Sequence, residues 1–280
     1  MAARRIAQLS DLHLLSSSKN SVRAYFASLG RALNPRVRSD RAAAALRRAH
    51  ELGSDHVIFS GDLTELGLAL EFEAFAELLA ASAFKPEQIT IVPGNHDRYG
   101  HDRYGGGDGW SAALLGPLKP WARNTPSGPE PIVDLGNVRL LPLDVTRPQS
   151  VMRSAGFVTD DVVQRVEKNL RDPANAARPV VVVQHHAPFA LPPLLHRLDG
   201  LIDCERLNAL TDRHEAAQVM HGHLHRHIDR GGSPKLPRVL GGPAVVGSEK
   251  SIRFYDVTSD GLAPFDPATE SLPATRMVPA

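Results

Sequence analysis

The chain has 280 residues, with 32 lysines and arginines against 31 aspartates and glutamates, a formal net charge of +1. That balance argues against association with nucleic acid, which relies on a strongly basic face, and no apolar run reaches the roughly 20 residues of a membrane-spanning helix. One cysteine, Cys204, excludes an intrachain disulfide and a cysteine-based zinc site, so any bound metal must rely on His, Asp and Asn.

The N-terminus, MAARRIAQLSDLHL, leads two arginines straight into a strand-like run. It shows neither the apolar core nor the small-residue cleavage site of a secretory leader, and a cytoplasmic location is expected. The strand at 5–10 ends in S-D-L-H, where Asp11 and His13 stand at i and i+2 and share one face if the strand continues. A basic stretch follows: between residues 14 and 50 eight lysines and arginines face one acid, Asp40. Residues 15–40 form an insert with Val22, Tyr25, Phe26, Leu29 and Leu33 at helical spacing. It could contact an anionic lipid or membrane surface, or pack on the domain with its cations in solvent. Ser39 can then cap a helix with Ala42, Ala45, Leu46 and Ala49 on its apolar face, ended by Gly53.

The strand HVIFS at 56–60 runs into G-D-L-T-E, residues 61–65. ALEFEAFAELLA, 69–80, sets Phe72, Phe75, Leu78 and Leu79 on one helical face. The strand ITIVP at 89–93 runs into G-N-H-D, residues 94–97, and then a glycine-rich loop. After a strand at 138–145, Thr159 can cap a helix with Val162, Val163, Val166 and Leu170 inward. The strand VVVVQ at 180–184 leads to His185-His186-Ala-Pro, and AAQVM leads to His221-Gly-His223-Leu-His225. Beyond these, segments separated by Gly and Pro predict adjacent antiparallel strands and a second sheet. We expect one domain over 1–260 and a tail over 261–280.

The βαβα alternation reads as α/β. In such sheets ligands collect beyond the carboxyl ends of the strands, which is where the polar clusters fall. Gly61 and Gly94 suit strands that must turn abruptly there.

D-x-H, GDxx(D/E), GNH(D/E), an isolated His and GHxH occur in this order over residues 6–257. Together they resemble the calcineurin-like metallophosphoesterases, and are most similar to the cyclic-nucleotide phosphodiesterase-like and glycerophosphodiesterase-like branches. The resemblance implies a four-layer α/β/β/α sandwich, two mixed sheets flanked by helices, with two divalent ions at the strand ends. By motif, Asp11, His13 and His225 would hold one ion, Asn95, His185 and His223 the other, and Asp62 would bridge them. His186 is an alternative to His185. The donor set suits Mn, Fe, Zn, Co or Ni without choosing among them.

The implied activity is hydrolysis of a small-molecule phosphate ester, a phosphodiester before a monoester, by water activated between the ions. His96 would stabilise charge or supply the proton to the leaving oxygen, and Asp97 would orient His96 through its other ring nitrogen. Glu65 is assigned a supporting role at a helix start. His221 and His227 are read as histidines beside the site, not ligands. Two other readings are a diphosphate hydrolase similar to those acting on UDP-diacylglucosamine, motivated by the basic insert, and a noncatalytic scaffold of the same fold. The complete ligand set argues against the scaffold.

Overall fold

The computed structural model describes residues 5–16, 28, 31–99, 108–128, 132–173, 178–214, 217–231 and 238–268. In chain order the elements are β1 (Arg5–Leu9), α1 (Pro35–Glu51), β2 (His56–Ser60), α2 (Ala69–Ala80), β3 (Ile89–Val92), α3 (Gly109–Leu115), β4 (Val133–Asp134) and β5 (Arg139–Pro142). Then come β6 (Gly156–Phe157), α4 (Asp160–Arg171), β7 (Val180–Val183), α5 (Pro193–Asp199), β8 (Leu201–Ile202) and α6 (Cys204–Thr211). The chain continues through β9 (Ala217–His221), β10 (Ile228–Arg230), β11 (Arg238–Gly241), β12 (Arg253–Thr258) and β13 (Gly261–Phe265).

The order β13-β12-β1-β2-β3 makes one sheet and β10-β11-β9-β7-β5-β4 the other; β6 and β8 form a separate pair. Both large sheets are mixed. In the first, β1, β2 and β3 are parallel and β12 is antiparallel to β1; in the second, β5, β7, β9 and β11 are parallel.

Strand alternation divides the side chains between layers. Ile6, Ile58 and Val92 of the first sheet meet Leu140, Val181, Val183 and Met220 of the second in the middle layer. Ala7, Leu9, Val57 and Phe59 face outward onto Leu46, Phe72, Phe75 and Trp110 of the helices. Val180, Val182 and Val219 face Val162, Val166 and Leu207 on the other side. This is the expected four-layer α/β/β/α arrangement. Gln8 joins the two sheets from inside, donating to Ser60 Oγ at 3.0 Å and to the His221 carbonyl at 2.8 Å, and accepting from the Tyr255 hydroxyl at 2.8 Å.

Three local expectations change. Helix α1 begins at Pro35, not after Ser39, because Asn34 accepts from the amides of Arg36 and Val37 and Pro35 fits the first turn. The C-terminal third does not build a separate antiparallel sheet. β9 and β11 run parallel inside the second sheet, whereas β12 and β13 extend the first. Gly261–Phe265, placed in the expected tail, is a strand paired with β12, and Leu262 and Phe265 are buried. Val22, Tyr25, Phe26 and Leu29 of the insert, residues 100–107 of the glycine-rich loop and 269–280 lie outside the described residues. No described helix is long and apolar enough to cross a membrane.

Candidate metal centre

The loops after β1, β2, β3, β7 and β9 meet at one end of the sandwich. Asp11, His13, Asp62, His223 and His225 all have positive φ, between 49° and 66°. Such backbone is uncommon for residues with a Cβ and costs of order 1–3 kcal/mol each unless the surroundings impose it. Among described non-glycine residues only Asp203 shares it. The bends are held by backbone hydrogen bonds between loops: Asp11 N to Gly61 O, His13 N to Asp62 O, and Gly222 N to His185 O, each 3.0 Å. The loops also approach closely. A Cβ on Gly94 would lie 2.1 Å from Asp62 Oδ1, and one on Gly61 2.3 Å from His185 Nδ1.

Asp62 is the shared member of two histidine sets. Its Oδ1 accepts the His96 amide at 2.9 Å. Its Oδ2 lies 3.3 Å from His185 Nε2, 3.7 Å from His13 Nε2 and 3.9 Å from His96 Nε2. Three groups among the described residues have donor atoms close enough for a single ion: Asp11, His13 and His225; His13, Asp62 and His96; and Asp62, His185 and His223. Asn95 lines the same cavity as Asp62, His96, His223 and His225.

The residues fit divalent ions on three observations. Asn95 Oδ1 is buried without a hydrogen-bond partner, while its amide nitrogen donates to the Tyr99 hydroxyl at 2.9 Å. Asp11 Oδ1 and His185 Nε2 approach charged neighbours at 3.1 and 3.3 Å yet make no hydrogen bond of proper geometry. Nε2 atoms of His13 and His225 face each other at 3.4 Å. An ion between each set would satisfy donors that otherwise crowd one another.

The ring orientations are fixed from behind. His185 Nδ1 donates to the Ser60 carbonyl at 2.7 Å, and His223 Nε2 to the Asp199 carbonyl at 2.8 Å, as ligand histidines are usually held. His186 is also buried, but its Nε2 bonds the Ser154 carbonyl at 2.6 Å, and it belongs to none of the three groups. His185 is therefore the better-placed residue of the pair.

Burial would raise the Asp62 carboxyl, but His185 and His96 beside it hold it well below the usual carboxylate range. Burial opposes protonation of His185 as well; the Asp62 charge overcomes it and raises His185 to about 9. His225 is raised in the same way, burial being outweighed by Asp11. These proton-holding ion pairs sit where cations would replace the protons.

His96 Nε2 faces the cavity, and its Nδ1 lies 2.7 Å from the Glu65 carbonyl. The expected partner, Asp97, points elsewhere. Its carboxylate accepts from the amides of Gly94 at 2.8 Å, Leu63 at 3.2 Å and Thr64 at 3.0 Å, and from the Thr64 hydroxyl at 2.7 Å. Asp97 thus ties the G-N-H-D turn to the G-D-L-T turn, and its hydrogen bonds go to these backbone and hydroxyl groups and not to the His96 ring. Burial lowers His96, partly offset by Asp62 and Glu65.

Glu65 does not start a helix, since α2 begins at Ala69. It is fully buried and paired with Arg38 and with Arg31, the latter at 2.9 Å. Its Oε2 stands 3.7 Å from His13 Nδ1. Arg31 and Arg38 of the basic stretch therefore find their counter-charge in another loop, and Arg38, counted in sequence among a run of surface cations, is 0% exposed. His221 bonds the Gly222 carbonyl through Nδ1 at 2.8 Å and joins none of the three groups. Sequence reasoning missed Arg31, Tyr99, Ser154 and Asp199, which line the cavity of ≈ 360 Å³. Only Arg31 and Asp199 carried a signal, as charged residues in segments flanking motifs.

A family profile described as calcineurin-like phosphoesterase matches residues 4–227. A probable cyclic nucleotide phosphodiesterase from Synechococcus sp. is 25% identical over 243 residues, covering 85% of this chain and 79% of that protein. Among solved structures, a dimetal phosphatase from Danio rerio superposes with a TM-score of 0.64 at 14% identity, covering 90% of this chain and 92% of its own. The phosphopantetheinyl hydrolase of Mycobacterium tuberculosis does so with a TM-score of 0.52 at 15% identity, covering 98% and 99%.

Proposed function

We propose that this chain, which belongs to the calcineurin-like phosphoesterase family, hydrolyses phosphodiesters with two divalent ions held around Asp62. Hydrolysis of a phosphoester follows from the family; the diester preference and the number of ions are our reading. The observation that carries it is Asp62 Oδ2, buried within 4 Å of ring nitrogens from His13, His96 and His185.

Asp11, His13 and His225 would hold one ion, Asn95, His185 and His223 the other. Bound there, the ions would supply a water of lowered pKa as nucleophile and neutralise charge on the phosphate oxygens. The chain's own residues do the rest. Arg31, paired with Glu65 at the cavity wall, adds fixed positive charge for an anionic substrate. Glu65 fixes the tautomer of His96 through its carbonyl, leaving Nε2 to exchange a proton with a group in the cavity. Asp97 keeps the two turns in register without touching the reacting atoms.

The Synechococcus relative's name supports the diester preference. The test is hydrolysis of bis(p-nitrophenyl) phosphate against p-nitrophenyl phosphate by protein reconstituted with Mn, Zn, Co or Fe. A larger kcat/KM for the diester is expected. A larger value for the monoester overturns the preference, and metal-free, inactive protein after reconstitution would return the scaffold reading.

A further inference from the structure

Among the described residues, the large apolar side chains that stand well exposed are Leu70, Leu115, Met152, Leu194, Leu195 and Leu198. Single exposed leucines such as Leu70 and Leu115 are ordinary. The other four lie on two segments that are bonded to each other beside the cavity. Met152 lines the cavity that holds Asp62, Asn95 and His223. Leu194, Leu195 and Leu198 lie on α5, where the i,i+4 and i,i+3 spacings put Leu198 beside both others. The two segments are joined: the Ser154 amide donates to the Leu198 carbonyl at 2.9 Å, and the Ser154 hydroxyl bonds Asp199. Asp199 in turn lines the cavity and lies 3.1 Å from His223 Nε2.

Helix α5 buries none of its residues, so its leucines do not serve the core. It is nevertheless anchored directly at the candidate ligand His223. An apolar face kept in water on a helix whose last residue, Asp199, lines the cavity together with Met152 is suited to part of the molecule that occupies the cavity.

We propose that the substrate is an amphiphilic phosphoester whose phosphate enters among the histidines and whose alkyl or acyl chain lies over Met152 and the Leu194–Leu198 face of α5. This rests on the phosphoesterase reading and adds the class of the ester substituent. The polar cavity wall, with Arg31 and the imidazoles, takes the anionic head, and the apolar rim takes the chain.

The test uses full-length, metal-loaded protein and p-nitrophenyl alkyl phosphates from methyl to hexyl. Burial of a methylene changes an equilibrium by up to about fourfold, so kcat/KM is expected to rise by about two- to fourfold per carbon until the rim is covered. Alkylphosphonates, bound but not turned over, should show the same trend in calorimetric affinity. Leu194→Ser/Leu198→Ser should flatten both series, and Leu115→Ser should leave both slopes intact. Flat series in the wild-type protein, with the methyl diester still hydrolysed, overturn the apolar substituent and leave the phosphoesterase reading standing. No hydrolysis of any ester by loaded protein overturns both. Flat series together with sedimentation on anionic vesicles that the double variant loses would assign the rim to a membrane surface and overturn the proposal.

Discussion

Asp62 Oδ2 and His185 Nε2 lie 3.3 Å apart at a site with no solvent access to the imidazole. With His185 raised to about 9 by that carboxylate, the metal-free protein carries a proton there at neutral pH. Ligation requires the neutral ring, so metal uptake must release it. Titrating metal at pH 7 in buffers of different ionisation enthalpy should show release of about one proton or more per chain. Affinity should weaken as pH falls, because protons then compete better. Heats independent of the buffer would contradict a proton on His185 that the metal displaces.

His96 and Asp97 are adjacent in sequence but separate in role, and their variants should divide accordingly. His96→Ala is expected to lower kcat by about 10²-fold or more, the usual range for loss of a proton-transfer group, with metal content retained. Asp97→Ala leaves buried amides of Gly94, Leu63 and Thr64 without their acceptor, and should cost on the order of 3 kcal/mol of stability. Chemical denaturation and metal analysis of both proteins decide this. An Asp97 variant that is stable, metal-loaded and slow would restore Asp97 to the proton chemistry.

Gly94→Ala places a methyl group on the Asp62 carboxylate. The Gly94 amide is held by Asp97, and the facing turn is held by the same carboxylate through the amides of Leu63 and Thr64, so neither gives way without moving Asn95 or Asp62. We expect metal content to fall and activity with it, by about 10²-fold for a displacement of roughly 1 Å. Retention of both would mean that Asp62 has freedom the packing does not suggest.

Glu71 supplies a pH dependence away from the metals. Burial raises it to about 7 from an ordinary value of 4.5, although the amides of Leu66 and Leu68 donate to it. The folded state thus binds the proton more tightly than the unfolded chain. Its contribution is fully present below pH 4.5 and is lost as pH rises through about 7, by at most about 3 kcal/mol. Urea unfolding at pH 5 and pH 8 should show Glu71→Gln gaining on the wild-type protein as pH rises. Parallel pH profiles for the two proteins would contradict the buried, protonated carboxyl.

Much of this architecture was legible because strand alternation and motif spacing are local. β1, β2, β3, β5 and β7 stand where apolar runs predicted them, and the motif residues gather at their carboxyl ends. What the sequence could not reveal depends on distant neighbours. Asp97 looked like a partner for His96 because the two are consecutive, whereas the turn sends the His96 ring to the Glu65 carbonyl and the Asp97 carboxylate to the amides of Leu63, Thr64 and Gly94. Arg38 looked solvated because its counter-charge, Glu65, lies 27 positions away. Gly261–Phe265 looked irregular because Pro264 interrupts it; an edge strand tolerates proline where a central one does not.

The central claim is that one carboxylate, Asp62, joins two ions. Mn²⁺ reconstitution followed by elemental analysis and electron paramagnetic resonance tests it most directly. The account predicts two Mn²⁺ per chain with the spectrum of an exchange-coupled pair, and loss of the coupling in Asp62→Ala. One ion per chain with an isolated-ion spectrum, or coupling that survives in Asp62→Ala, would contradict it.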